Sequence, residues 1–233
     1  MSRLRTLTVN RQRLTKPFTW LIIVLGGAAL CHSLARLPLD RLDLRYLLLS
    51  LVTVAFGSRL IVKIPRVRGD ITVSDTFVFL TLLLYGGEAA VLLATCEAFI
   101  TTQRVTRTRP TQLFNTAMMT VSTYLTGLAV ELNFAPLDAL TRGEFNPRLI
   151  MMVCLMGLVQ YATNAGLASV RSGFLTGRPL LDLWGKSFLW ASITYFAGAS
   201  AAALIARLAG TIGVYAFIFT TPIIATIYLT YRT

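Results

Sequence analysis

Long apolar stretches separated by short loops constrain this chain more than any other feature. Of its 233 residues, 55% are hydrophobic and only 14% are charged, and the mean hydropathy is +0.66. A helix of about 20 apolar residues crosses a bilayer, whereas barrel strands need only about ten residues of alternating polarity. The sequence therefore predicts an all-α fold, a polytopic helix bundle in a membrane.

The apolar stretches divide the chain into about eight predicted membrane segments, and the loops between them are too short for a soluble domain. We expect a basic tail over 1–17 and a single transmembrane helical domain over 18–233. The predicted segments are 18–35, 46–64, 72–85, 87–103, 111–135, 147–170, 184–208 and 212–231. Nearly all of the chain is thus expected to lie in the membrane.

The basic residues are distributed unevenly between the two sides of this arrangement. Sixteen of the 22 lysines and arginines fall in the N-terminal tail, in alternate loops and at the C-terminal end, and six fall in the opposite loops. This positive-inside pattern places both termini in the cytoplasm of a multi-pass protein of the bacterial inner (plasma) membrane. It explains the net charge of +12 without nucleic acid as a partner. The partners it predicts are the lipid bilayer and anionic headgroups at the cytoplasmic basic loops.

Three carboxylates lie in the third and fourth segments, where an acid must face protein, water or a partner. Ser74 or Asp75 is expected to cap the helix that starts there, and Glu88 can cap the helix after the Gly86-Gly87 break. Glu97 lies about ten residues into its helix, so no capping role accounts for it. We therefore consider Glu97 the first residue to test.

The segment 72–85 is short for a membrane-spanning helix. Its length of roughly 21 Å compares with about 30 Å for the hydrocarbon core. Two arrangements are open: the segment spans by tilting or thinning the bilayer, or it forms a re-entrant hairpin with 87–103. Glu88 lies at the outer interface in the first arrangement and at depth in the second.

Counting from the predicted helix ends places several polar side chains at one depth, roughly 6–9 Å inside the cytoplasmic face. We hypothesise a polar layer in which Glu97 pairs with Arg59 or Lys186. The other candidates for this layer or for ligand binding are Glu88, Asn115, Gln160 and Asn164. The alternative is a set of separate interhelical hydrogen bonds that only hold the helices together.

The seventh predicted segment carries small residues at a four-residue spacing, which allows a neighbouring helix to approach closely. This helix is expected to be buried in the bundle or to form a homodimer interface. The residues concerned are Gly198, Ala202, Ala206 and Gly210.

The sequence lacks the motifs of soluble enzymes, including a phosphate-binding glycine loop and a Ser/His/Asp set. Cys31, Cys96 and Cys154 occur singly without metal-type spacing, and His32 is the only histidine. We therefore expect no catalytic residues, no metal site and no cofactor.

The run VSDTFVFLTLLLYGGEAAVLLATCEAF, the basic loop 104–109 and the run LFNTAMMTVSTYL carry a resemblance to a known family. They resemble the N-terminal multi-helix membrane region of bacterial signalling proteins with cytoplasmic cyclic-di-GMP domains of the HD-GYP or GGDEF type. The resemblance spans most of the chain, including the ending YLTYRT, and implies a membrane sensory or anchoring module. No output domain is present up to Thr233, so we expect either a piece of a longer protein or a relative that acts through a partner.

These observations predict a module that binds a small ligand or partner within the bundle and relays to a cytoplasmic protein, or that assembles as a homo-oligomer. One alternative is a small-solute transporter component resembling the substrate-binding subunits of energy-coupling-factor importers. A second alternative is a structural subunit of a larger membrane complex.

Overall fold

The computed structural model describes residues 2–57, 61–63, 70–72, 74–106, 108–134, 147–177, 179, 184 and 189–212. The predicted segment 212–231 lies almost wholly outside this part of the chain. Seven α-helices lie within it: α1 (Ser2–Ala35), α2 (Leu44–Val52), α3 (Ser74–Tyr85), α4 (Gly87–Val105), α5 (Arg109–Phe134), α6 (Pro147–Thr176) and α7 (Leu189–Ile212). Two short strands, β1 (Ile61–Lys63) and β2 (Asp70–Thr72), pair with each other.

Three of the helices are long and apolar enough to cross a membrane: Arg13–Ala35 within α1, all of α6, and Ala191–Leu208 within α7. Large apolar side chains on α1 face away from the protein, with Trp20 59% and Val24 65% exposed. A helix that is apolar on its outer face as well as its inner face is typical of a lipid environment. The structure thus indicates a membrane-associated, predominantly helical bundle.

The prediction of one apolar helix over 46–64 is wrong in its second half. Here α2 ends at Val52, a π-helical turn follows over Thr53–Gly57, and β1 pairs antiparallel with β2. Pro65 cannot donate a helical hydrogen bond, and it disfavours the helical conformation in the residue before it. The β-branched residues Ile61 and Val62 are also better suited to a strand. The all-α fold class is confirmed, and the strand pair, with three residues in each strand, is a local exception to it.

Five helices pack in a closed ring. Helix α3 contacts α4, α4 contacts α5, α5 contacts α6, α6 contacts α7, and α7 returns to α3, while α1 packs outside against α4, α5 and α6. Helix α3 is enclosed on all sides, since nine of its 12 residues are buried. The apolar core is therefore centred on α3.

Small residues allow the backbones of the ring to approach closely at two points. A Cβ added at Gly127 of α5 would lie 3.1 Å from the Cα of Gly87 at the start of α4. A Cβ added at Gly198 of α7 would lie 3.1 Å from the Thr76 hydroxyl oxygen on α3. Along α7 from Gly198, Ala202 and Ala206 are 0% and 2% exposed, so this face is buried within the chain. The structure does not describe the surroundings of Gly210, the last residue of the predicted series.

The turn between α3 and α4 lies at the same end of the bundle as the end of α1. Helices α1 and α5 run parallel, because Phe18 contacts the Phe114 ring and His32 contacts the Tyr124 ring. Gly127, which faces Gly87, is one turn beyond Tyr124. Helix α4 therefore runs the length of the bundle from this turn to its end at Val105.

Candidate functional site

Helix α3 begins inside the bundle and not at the end of the bundle. Helices α3 and α4 meet at Gly86, but α3 has 12 residues and α4 has 19. At 1.5 Å per residue, α3 is about 10 Å shorter, so Ser74 lies about 10 Å short of the level of Val105. The first turn of a helix has free N–H groups and a partial positive charge. This helix start is thus a polar feature buried among apolar helices.

Glu97 of α4 lies directly beside this helix start. It is only 3% exposed, and it accepts hydrogen bonds from the hydroxyl of Thr101, at 2.8 Å, and from the side chain of Ser74. Its position is about 12 Å along the helix from Val105, which is deeper than the sequence-based depth. The sequence offered no capping role for Glu97, but the structure places its carboxylate at the positive end of a neighbouring helix.

Asp75 is the second carboxylate of the site. It is 9% exposed and lies close enough to Glu97 for the two to interact electrostatically. Because α3 begins at Ser74, both Ser74 and Asp75 occupy its first turn, and the residue before them is outside the described part of the chain. Two buried carboxylates therefore share one helix start.

A hydrogen-bonded pair from α6 and α7 continues the site across the ring. The side-chain amide of Asn164 donates to the Tyr195 hydroxyl at 2.6 Å, and this hydroxyl lies within electrostatic range of Asp75. The amide also lies 3.6 Å from the sulfur of Met119 on α5. These contacts connect the acidic pair of α3 and α4 to the polar residues of α5 and α6.

Gln160 on α6 is 1% exposed and has all of its recorded partners on α5. Its carbonyl oxygen accepts from the Thr126 hydroxyl at 2.8 Å. Its amide donates to the Thr123 hydroxyl at 3.3 Å and contacts the Met119 sulfur at 3.6 Å. We call the polar side chains contributed by all five ring helices the polar cluster: Ser74, Asp75, Glu97, Thr101, Thr123, Thr126, Gln160, Asn164 and Tyr195.

Other predicted site residues lie apart from this cluster. Glu88 is half-buried in the first turn of α4, beside Gly86 with its positive φ of 94°, and about 13 Å of helix separates it from Glu97. Asn115 is half-buried on α5, one turn before Met119, and no described hydrogen bond joins it to the cluster. Arg59 and Lys186, the predicted partners of Glu97, lie outside the described residues.

Among the residues that the structure describes, no ion pair reaches Glu97 or Asp75. The ion pair among the described residues joins Arg45 to Asp43 at 3.9 Å, at the start of α2. In the same part of the chain, no three His, Cys, Asp or Glu side chains are grouped to hold a metal ion. The cluster thus presents two carboxylates together with amide and hydroxyl groups, which can hold a small cation or a ligand rich in hydrogen-bond donors.

Sequence reasoning missed Thr101, Thr123 and Tyr195 as members of the cluster. Thr101 lies one turn after Glu97, so the four-residue spacing of adjacent turns was an available signal. Thr123 shares the hydroxyl-rich α5 with Thr126, which was another. No comparable sequence pattern pointed to Tyr195, because an aromatic residue in an apolar helix does not stand out from its neighbours.

Comparisons with protein-family models, with curated proteins and with solved structures found no match to this chain.

Proposed function

We propose that this protein is a multi-pass sensory module of the bacterial inner membrane, which binds a small ligand within the bundle and relays its presence to a cytoplasmic partner. The observation that carries the proposal is the polar cluster. Each of the five ring helices contributes at least one side chain to it. A ligand that bridges these side chains would change how the helices pack against one another, and such a change can be relayed to a partner.

The geometry also supports a spanning arrangement of α3 and α4. The Gly86 turn lies level with the end of α1, at the opposite end of α4 from Val105. With both termini in the cytoplasm, this turn and Glu88 face the outer side and the polar cluster lies near mid-membrane. In a re-entrant hairpin, Glu88 would instead lie at depth.

The ligand class that suits the cluster is a small cation or an amine. Two carboxylates approach each other without a described basic partner, and like charges at short range destabilise each other. A bound cation would reduce this repulsion. It would also contact the carboxylate oxygen lone pairs that are not used in hydrogen bonds. Asn164 and Gln160 supply amides that can orient such a ligand.

The proposal is tested with Glu97→Gln, which keeps the shape of the side chain and one of its two acceptor oxygens but removes its charge. Thermal unfolding of the purified protein in detergent is measured in equal concentrations of sodium, potassium, choline and tetramethylammonium chloride. We expect at least one cation to raise the Tm of the wild type and to have no such effect on Glu97→Gln. The matched control is Glu88→Gln on the same helix, which should respond like the wild type.

Identical stability and an identical cation response in Glu97→Gln and the wild type would exclude the cluster as a ligand site. Co-purification from native membranes then distinguishes the roles. A signalling protein that co-purifies supports sensing, an ATPase pair supports transport, and a large stable assembly supports a structural subunit.

Transport is the second candidate function, and a specific observation favours it. Helix α3 is short and begins inside the bundle at the level of Glu97, as do the interrupted helices that form midplane binding sites in many transporters. Uptake of the stabilising cation into proteoliposomes would assign transport. Stabilisation without uptake would assign sensing.

A further inference from the structure

One end of the bundle carries only basic residues among its described charged side chains. This end is formed by residues 13–18 of α1, the end of α4, the beginning of α5 and the end of α6, since the Phe18 ring contacts both the Phe114 and Phe174 rings. The basic residues there are Arg13, Lys16, Arg104, Arg109 and Arg171. Of the acids whose side chains the structure describes, Asp40, Asp43, Glu88 and Glu131 lie at the opposite end, and Asp75 and Glu97 lie in the polar cluster.

Arg171 differs from the other basic residues at this end because it is held in place. Its guanidinium carbon lies 4.6 Å from the centre of the Phe114 ring, and its Nη2 donates to the Thr111 hydroxyl at 2.8 Å. Below it, Phe18 packs on Phe114 and Phe174 with ring centroids 6.1 and 5.6 Å apart. Arg13, Lys16, Arg104 and Arg109 are exposed side chains. Arg171 is thus half-buried and oriented on an aromatic platform formed by α1, α5 and α6.

The hydrogen-bonding capacity of this guanidinium is not used up within the described protein. An arginine has five N–H donors, and the buried Nε of Arg171 has no hydrogen-bond partner. Its recorded partners, a threonine hydroxyl and a phenyl ring, are both neutral. A fixed guanidinium without an acidic partner is suited to bidentate contact with a phosphate group.

The level of Arg171 decides which phosphate is available. Thr111 lies in the first turn of α5, so the guanidinium lies at the end of the bundle, which is the cytoplasmic face in the orientation proposed above. We infer that Arg171 binds the phosphate of an anionic phospholipid of the cytoplasmic leaflet, whose acyl chains lie along the apolar surface of α1, α5 and α6. The inference rests on that orientation alone and is independent of ligand binding at Glu97.

The experiment measures lipid binding to the purified protein by native mass spectrometry, with phosphatidylglycerol and phosphatidylcholine as probes. The wild type should retain phosphatidylglycerol in preference to phosphatidylcholine. Arg171→Gln should weaken retention of phosphatidylglycerol at least about tenfold, which corresponds to the loss of one charge-assisted hydrogen bond. Arg109→Gln, which removes an equal charge from an exposed side chain at the same end, should retain the lipid.

Two further variants control for misfolding and for an effect of the polar cluster. Arg171→Lys keeps the charge and loses the planar fork, so it should fold and bind the lipid more weakly than the wild type. Glu97→Gln should bind phosphatidylglycerol normally, which separates this site from the polar cluster. Equal retention in Arg171→Gln and the wild type would overturn the proposal, as would displacement of the lipid by millimolar inorganic phosphate, which would assign the site to free phosphate.

Discussion

Helix α4 carries a glutamate in its first turn and another near its middle, and the two have different surroundings. At the Glu88 end, the helix backbone approaches α5 at Gly87 and Gly127, and the tyrosines of α2 and α3 pack beside it, with the Tyr46 and Tyr85 ring centroids 5.3 Å apart. Around Glu97, in the half of α4 that leads to Val105 and that we call the polar end, the neighbours are the Thr101 hydroxyl on α4 itself and the Ser74 hydroxyl and Asp75 carboxyl group of α3. Shape complementarity holds the first end together, and hydrogen bonds hold the second.

This difference indicates which end is a structural contact and which is a candidate site. Close backbone packing is the main stabilising contribution between helices in a membrane, and interhelical hydrogen bonds contribute on average only about 0.6 kcal/mol each. Buried carboxylates without a basic partner lower stability. A protein that keeps two of them at one level gains little stability from them, which favours a functional role.

The largest expected effect tests the packed end. Gly127→Val would place a branched side chain against the backbone of Gly87 and should lower the free energy of unfolding by about 2–3 kcal/mol, as overpacking does. The measurement is equilibrium unfolding in mixed micelles containing SDS. Gly27→Val is the matched control, because a Cβ at Gly27 meets nothing within 4 Å. Equal stability of the two variants would mean that α4 and α5 are not in close contact at this end.

An intermediate effect tests the polar end. Gln160→Leu keeps a similar volume but removes the hydrogen bonds to Thr126 and Thr123, so we expect a loss of about 1 kcal/mol in the same unfolding measurement. Gln103→Leu on the exposed surface of α4 should change stability by less. A loss as large as that of Gly127→Val would show that hydrogen bonds stabilise the polar end as strongly as backbone packing stabilises the other end.

The smallest effect examines the connection between α6 and α7. Tyr195→Phe removes the hydroxyl that accepts from Asn164, and it should cost about 0.6 kcal/mol. Tyr124→Phe is the control, because its ring packs on His32 and its hydroxyl makes no hydrogen bond among the described residues. If Tyr195→Phe were neutral in stability but abolished the cation response, the hydroxyl would contact the ligand directly.

Part of this arrangement was predictable from residue counting. Counting from the helix ends placed Glu97, Asn115 and Asn164 at one depth, and the four-residue spacing placed Gln160 on the face of Asn164. A common ligand-binding layer of these side chains stays a prediction. The pairing of Glu97 with Arg59 or Lys186 stays a prediction, because both lie outside the described residues. The separation of Asn115 from the cluster was not predictable, because a depth count gives no information about which face of a helix meets which neighbour.

The second predicted segment illustrates a different limit. Hydropathy was high enough over 46–64 to suggest one helix, but the α-helix ends at Val52, a π-helical turn follows, and residues 61–63 form a strand. Hydropathy measures the preference for an apolar environment and carries little information about backbone conformation. The signals against a helix near the end of this segment, Pro65 and the β-branched pair Ile61 and Val62, are local and were outweighed by the apolar average.

The sequence by itself indicated an apolar environment and a predominantly helical fold for this protein, because apolar runs of helical length have few other stable arrangements than a membrane bundle. It also determined which side chains are costly to bury. Only the tertiary structure decided which contacts offset the free-energy cost of burying these side chains. Glu97 lies against the start of α3, a contact between helices that depends on the short length of α3. Such contacts arise from packing among helices, so no single segment of the sequence contains them.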